Sequence, residues 1–168
     1  LLKKIVFFKK SYYQCSENSY ISAAQNLKIH NCLIQEAKNK IIQIDNDQNK
    51  LYFIHIRRGD FIHWPSANSP AVVPLTWFLN QMNAILATNP DAKFLIFSND
   101  KPYAEEFFHL NPLCFVISET EEIEFTMMSM CLGGGILSPS TFAWWAAFLG
   151  KRDSSSANYV APKYWIGH

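Results

Sequence analysis

The chain has 168 residues, with 15 Lys and Arg against 14 Asp and Glu, for a formal net charge of +1. That balance gives no bulk electrostatic reason to bind nucleic acid. Hydrophobic residues make up 49% and aromatic residues 15%, which excludes a disordered or low-complexity chain and leaves room for one domain with a real core.

The opening, LLKKIVFFKK, is too short and too lysine-interrupted to span a bilayer, and it lacks the layout of a signal peptide. Any membrane anchor is therefore expected upstream of Leu1. Residues 1–20 read as strand-like and then irregular. Residues 21–44 place Ala23, Leu27, Leu33, Ala37 and Ile41 at helical spacing and predict one or two helices. DNDQN (45–49) is a turn and LYFIHI (51–56) a strand. Three prolines mark 61–74 as a loop, and 75–89 is a helix with Leu75, Phe78, Leu79, Met82, Ile85 and Leu86 on one face. AKFLIFS (92–98) is a strand, 99–110 a turn into a short helix, and LCFVIS (113–118) a strand. A helix over 121–132 is followed by GGGILS (133–138), a glycine entry into a buried strand. The helix 140–150 is capped by Ser140 or Thr141 and stopped by Gly150, with Trp144 read as a core residue. A turn and a last strand close the chain at 154–165.

From residue 51 strands and helices alternate with short connections, which predicts an α/β fold with a Rossmann-like parallel sheet covered on both faces. Ligands of such sheets bind outside the carboxyl ends of the strands. That rim gathers HIRRGD, FSND and SPSTF. Arg57 and Arg58 offer rigid bidentate donors suited to phosphate, or structural ion pairs, for instance with Asp60. Ser140 and Thr141 stand at a helix start, where free backbone N–H groups attract anions, or form an ordinary cap. Asn99 and Asp100 could meet a ribose or a base, or make an Asx turn. Taken together the three stretches describe a nucleotide site without a P-loop or a GxGxxG. RGD (58–60) continues directly from a buried strand, which argues against an adhesion motif. The four cysteines (Cys15, Cys32, Cys114, Cys131) show no metal-ligand spacing, and Cys114 and Cys131 sit in apolar runs as free thiols.

HIRRGDF, then FSND, then MMSMC…SPSTFAWWAAFL resembles in order and spacing the blocks of the α-1,2-fucosyltransferases, the glycosyltransferase family 11 type, over about residues 51–165. The resemblance implies an inverting, metal-independent transferase that moves L-fucose from GDP-fucose to a galactose-containing glycan. It implies a GT-B architecture in which 51–168 is the C-terminal, donor-binding lobe and 1–50 a partial, mainly helical N-terminal region. Carried over, Arg57 is the prime diphosphate ligand and, with Asp60, the catalytic pair. His55 and Arg58 support it. Asn99 and Asp100 lie toward the guanosine, and Ser140, Thr141 and Phe142 lie beside the nucleotide. The resemblance implies no cofactor and no metal, no nucleic acid partner, and a lumenal Golgi membrane location through an anchor outside this chain.

The chain departs from the family pattern in three places. Glu124 stands where many members carry aspartate seven residues before the cysteine. SP precedes Ser-Thr-Phe, and three glycines lengthen the segment between Cys131 and Phe142. The alternatives are an inactive nucleotide-sugar-binding domain and a related GT-B transferase with another donor or linkage.

Overall fold

The structure is a computed structural model that describes residues 27–66 and 68–163. Helix α1 spans Asn31–Ile44 and precedes strand β1, Leu51–Ile56. A long connection holds a 3-10 turn at Gly59–Ile62 and the two-residue strands β2 (Pro65–Ser66) and β3 (Ser69–Pro70). Helix α2 (Leu75–Thr88), strand β4 (Lys93–Ser98), helix α3 (Lys101–Phe108) and strand β5 (Cys114–Val116) follow. Helix α4 (Glu121–Ser129), strand β6 (Gly134–Leu137), helix α5 (Thr141–Asp153) and strand β7 (Asn158–Val160) complete the described chain.

The main sheet has the order β5-β4-β1-β6-β7, and every pairing in it is parallel. Counted by chain order, its strands run 3-2-1-4-5, which is the Rossmann-like arrangement expected from the alternation. The direction of winding reverses between β1 and β6, so the crevice of such a sheet opens there.

Strand β1 is buried along its whole length, as a central parallel strand must be. Its side chains alternate between faces. Tyr52, Ile54 and Ile56 pack with Phe78 and Met82 of α2 and Ala104 and Phe108 of α3. Leu51 and Phe53 pack with Ala37 and Ile41 of α1, Met127 and Met128 of α4, and Ala143 and Ala146 of α5. Helix α1 thus shares the core of the sheet. Gly135 explains part of the triple glycine: a Cβ there would lie 2.7 Å from Cδ1 of Phe53, so β6 can approach β1 only without a side chain.

Several boundaries differ from the sequence reading. The predicted helix 21–44 is helical from Asn31, while 27–30 is not, and 21–26 lies outside the described residues, as does the strand-like reading of 1–20. Gly150 does not stop the last helix, which continues to Asp153. A Cβ at Gly150 would meet the Tyr159 hydroxyl and the Ser129 carbonyl oxygen, the latter at 2.9 Å, so its role is close packing between α5, α4 and β7. Trp144 is not a core residue. Ala143, Ala146 and Ala147 take the core face of α5, and Trp144 is half-buried, stacked on Phe148 at 5.1 Å between ring centroids. Leu79, placed on the apolar face of α2, is exposed. Cys114 and Cys131 are buried free thiols; burial pushes Cys114 up to about 12 and Cys131 higher still. Among the described residues no helix is long and apolar enough to cross a membrane.

Candidate donor site at the carboxyl rim

The site forms where β1 leaves the sheet. The peptide group between Ile56 and Arg57 is held from both sides by serines of the neighbouring strands. Ser98, the last residue of β4, donates its hydroxyl to the Ile56 carbonyl at 2.8 Å. Ser138, just beyond β6, accepts the Arg57 N–H at 3.0 Å. The next peptide is held too, since the Arg58 N–H donates to Asn99 Oδ1 at 2.8 Å. Two consecutive N–H groups at a strand end, which pairing within the sheet leaves unsatisfied, are therefore both bonded to side chains.

The two arginines then part. Arg58 is the more buried, with 22% of its side chain exposed. Its Nε donates to Asp100 Oδ2 at 3.0 Å, and its guanidinium lies 3.6 Å above the centre of the Tyr103 ring. The other Asp100 oxygen caps α3 by accepting the Tyr103 N–H at 3.2 Å. Arg58 is thus tied to the start of α3 by an ion pair and a ring contact. Arg57 has 37% of its side chain exposed and pairs with an exposed carboxylate, Asp60 Oδ1, from Nε at 3.0 Å and Nη2 at 2.7 Å. It also lies 5.7 Å from the centre of the Phe61 ring. Gly59 makes the turn from Arg58 into Asp60 at φ +23, and a Cβ there would collide with the Asn99 amide.

His55 faces the other side of β1, toward α5, and is only 6% exposed. Its Nδ1 lies 2.8 Å from Ser138 Oγ, and its ring is 5.9 Å from that of Phe142. Burial, with help from the charges of Arg57 and Lys101, pushes its pKa down to about 3, so it is neutral at physiological pH. Lys101, the first residue of α3, reaches over the ends of the strands to the buried carboxylate of Glu124 on α4 and to the Ile117 carbonyl. That ion pair joins the two helical layers above the rim.

The remaining sequence-predicted residues divide. Asn99 Oδ1 is bonded to the Arg58 N–H, and Asp100 is divided between the Arg58 guanidinium and the cap of α3. Ser140 does occupy the N-cap of α5, but its side chain makes no capping bond; its N–H donates to the Ser138 carbonyl at 2.7 Å. Thr141 is exposed, and Phe142 is wedged between His55 and Phe125, 5.4 Å from the latter. The sequence reading quoted Ser98 and Ser138 within FSND and SPSTF but gave neither a role. The signal that could have found them is a small hydroxyl at the end of each strand flanking the arginine strand. Two shallow depressions flank the site. One of about 470 Å³ runs along Pro70–Pro74, Trp77 and Pro139; one of about 330 Å³ lies by His30, Phe125 and Phe142. Among the described residues no three His, Cys, Asp or Glu side chains form a cluster that could hold a metal ion.

A half-exposed guanidinium on a fixed backbone, next to a neutral imidazole at a sheet's switch point, can bind a diphosphate. The chain is 30% identical over 118 residues to the O-antigen biosynthesis glycosyltransferase WbnK of Escherichia coli, a match covering 67% of this chain and 38% of that protein. It is 26% identical over 119 residues to an alpha-1,2-colitosyltransferase of Escherichia coli, covering 67% of this chain and 40% of that protein. The matches thus span well under half the length of these relatives. No solved structure matches. The model of glycosyl transferase family 11 matches residues 4–166, nearly the whole chain, which therefore belongs to that family.

Proposed function

We propose that this chain carries the donor-binding part of an inverting transferase that moves L-fucose from GDP-fucose to a galactose-containing glycan, corresponding to the C-terminal lobe of a GT-B enzyme. The observation that carries the reading is Arg57: its backbone is fixed by two strands, while its part-exposed guanidinium is paired with the exposed Asp60 beside the Phe61 ring. Sugar transfer expels a nucleoside diphosphate, and negative charge grows on the leaving phosphate. A preorganised guanidinium there stabilises the transition state more than the ground state. It supplies that charge without a metal ion, so the reading needs none. His55 adds a neutral hydrogen-bond partner, and the free N–H groups of the first turn of α5 face the same rim.

A second donor deserves a place because one relative is a colitosyltransferase by name. Colitose differs from fucose at the sugar, so the phosphate-binding side chains proposed above would serve either. A binding domain without catalysis is the third reading, in keeping with the matched share of the relatives' length.

Calorimetric titration with GDP, and with ADP and UDP as controls, in the absence of added metal, tests the reading. Selective GDP binding supports it, and incubation with GDP-fucose then separates a transferase from a binding domain by release of GDP. A folded chain that takes up none of the three nucleotides overturns it.

A further inference from the structure

Ser138 is 1% exposed, and its hydroxyl has two neighbours. The Arg57 N–H donates to the oxygen at 3.0 Å, and His55 Nδ1 lies 2.8 Å away. The backbone N–H can only donate, so it fills one lone pair of the oxygen. The serine's own proton then needs an acceptor in a site closed to water. Nδ1 is the acceptor that the described residues provide. If Nδ1 instead carried a proton, it would donate to Ser138 and leave the buried serine O–H without a partner. Full satisfaction therefore selects one chain of bonds, from the Arg57 N–H to Ser138 and from Ser138 to Nδ1. A neutral ring that accepts at Nδ1 carries its proton at Nε2.

The other end of the ring is open. Nε2 has no hydrogen-bond partner among the described residues, and the only fully buried side-chain polar atom there without a partner is Tyr159 Oη. Nε2 therefore reaches accessible space, although the residue as a whole is buried.

Building on the proposed donor reading, we infer that Ser138 is a positioning residue. Its buried hydroxyl fixes His55 as the Nε2–H tautomer and so presents a neutral N–H donor to an oxygen of the donor's diphosphate. The same hydroxyl holds the Arg57 peptide, so one atom aligns a neutral donor and a cation on the same anion. An unfixed ring would spend part of its population with a bare Nε2, whose lone pair repels a phosphate oxygen.

The test is ring-nitrogen NMR of the whole chain, with the His55 signals assigned by their loss in His55→Gln. In the wild type Nε2 should carry the proton and Nδ1 should show an accepting shift. A predominantly Nδ1–H ring overturns the inference, whatever the nucleotide result. In Ser138→Ala the two tautomers should mix and the Kd for GDP should rise roughly five- to tenfold, the loss of about one hydrogen bond. Ser138→Thr, which restores the hydroxyl, should recover both. An unchanged tautomer in Ser138→Ala, or a mixed tautomer with unchanged GDP affinity, also overturns it. A wild type that shows the Nε2–H ring yet ignores GDP overturns the functional reading and the phosphate half of the inference, and leaves the serine's hold on the ring established. If neither serine variant folds, the wild-type spectrum alone decides the tautomer.

Discussion

Asp60 holds Arg57 by a single carboxylate oxygen that accepts from both Nε and Nη2, at 3.0 and 2.7 Å. The pair is exposed, and pairs of this kind contribute about 0–1 kcal/mol to stability. On the proposed donor reading it sets occupancy, because the carboxylate sits on the donors a diphosphate would use. Asp60→Asn is expected to leave the urea midpoint nearly unchanged and to tighten GDP binding. Weaker binding in a stable Asp60→Asn chain would show that the carboxylate helps to build the site instead of competing for it.

Arg57→Ala is expected to remove most affinity for the donor. A charge-assisted pair of this kind contributes about 1.5–3 kcal/mol, which is roughly 10- to 150-fold in Kd. Arg58→Ala should act differently, since Arg58 is bound to Asp100 and Tyr103: it should lower the melting temperature as well as affinity. Calorimetry and thermal melts on the two variants check the division. Unchanged GDP binding in a folded Arg57→Ala chain would remove the site assignment.

Gly59→Ala should be costly although the position is exposed. Its φ of +23 disfavours a side chain, and the new Cβ would push the Asn99 amide off the Arg58 N–H. A loss of about 1–3 kcal/mol in urea denaturation is expected. A neutral result would mean that the turn relaxes without strain.

The core of α5 predicts a ranking of two aromatic truncations. Phe53 is fully buried against α1, α4 and α5, and Phe53→Ala should cost about 3–5 kcal/mol. Trp144 is half-buried in a stack with Phe148 and should cost less when truncated. Denaturation midpoints of the two variants compare them directly, and a Trp144→Ala chain as unstable as Phe53→Ala would restore the core reading of that residue.

His55 makes stability depend on pH with a defined sign. Its folded pKa, about 3, lies below the ordinary value of 6.5, because burial and the charges of Arg57 and Lys101 disfavour the imidazolium. The unfolded chain therefore takes up the proton first. The contribution is complete above about pH 6.5, falls as pH drops from there toward 3, and levels off below, at no more than about 1.4 kcal/mol per pH unit. Denaturation curves at about pH 7, 5 and 4 should show a steeper decline for wild type than for His55→Gln, since the carboxylates common to both cancel in the comparison. Parallel declines would show that His55 is protonated readily in the folded chain.

The sheet was legible because its strands are short apolar runs punctuated by turn residues, and alternation with helices leaves few topologies. LYFIHI is buried throughout, as its composition requires. Helix ends were less legible. Gly150 has the identity of a stop signal, but the approach of Ser129 and Tyr159 decides its use, and those contacts are long-range. Trp144 misled for a similar reason: size suggests burial, yet the face of α5 packed against α4 and the sheet is taken by Ala143, Ala146 and Ala147. In the site, residue type placed the arginines at the rim, but the pattern could not say which would be open. That depends on Asp100 and Tyr103, more than forty residues away, which hold Arg58. Ser98 and Ser138 were invisible as site residues because a serine at a strand end is ordinary until its partners are known.

The doubly held peptide between Ile56 and Arg57 has a consequence for variation within such proteins. Because that peptide is fixed by the strands on either side, the stretch beyond the Asp60 and Phe61 contacts, from Ile62 to Pro74, can change length or composition while the Arg57 backbone stays in place. The base of Arg57 is anchored to the sheet, and the neighbouring surface is free to diversify. A chain built this way can vary one loop at the rim while the backbone that carries Arg57 keeps its place between two strands.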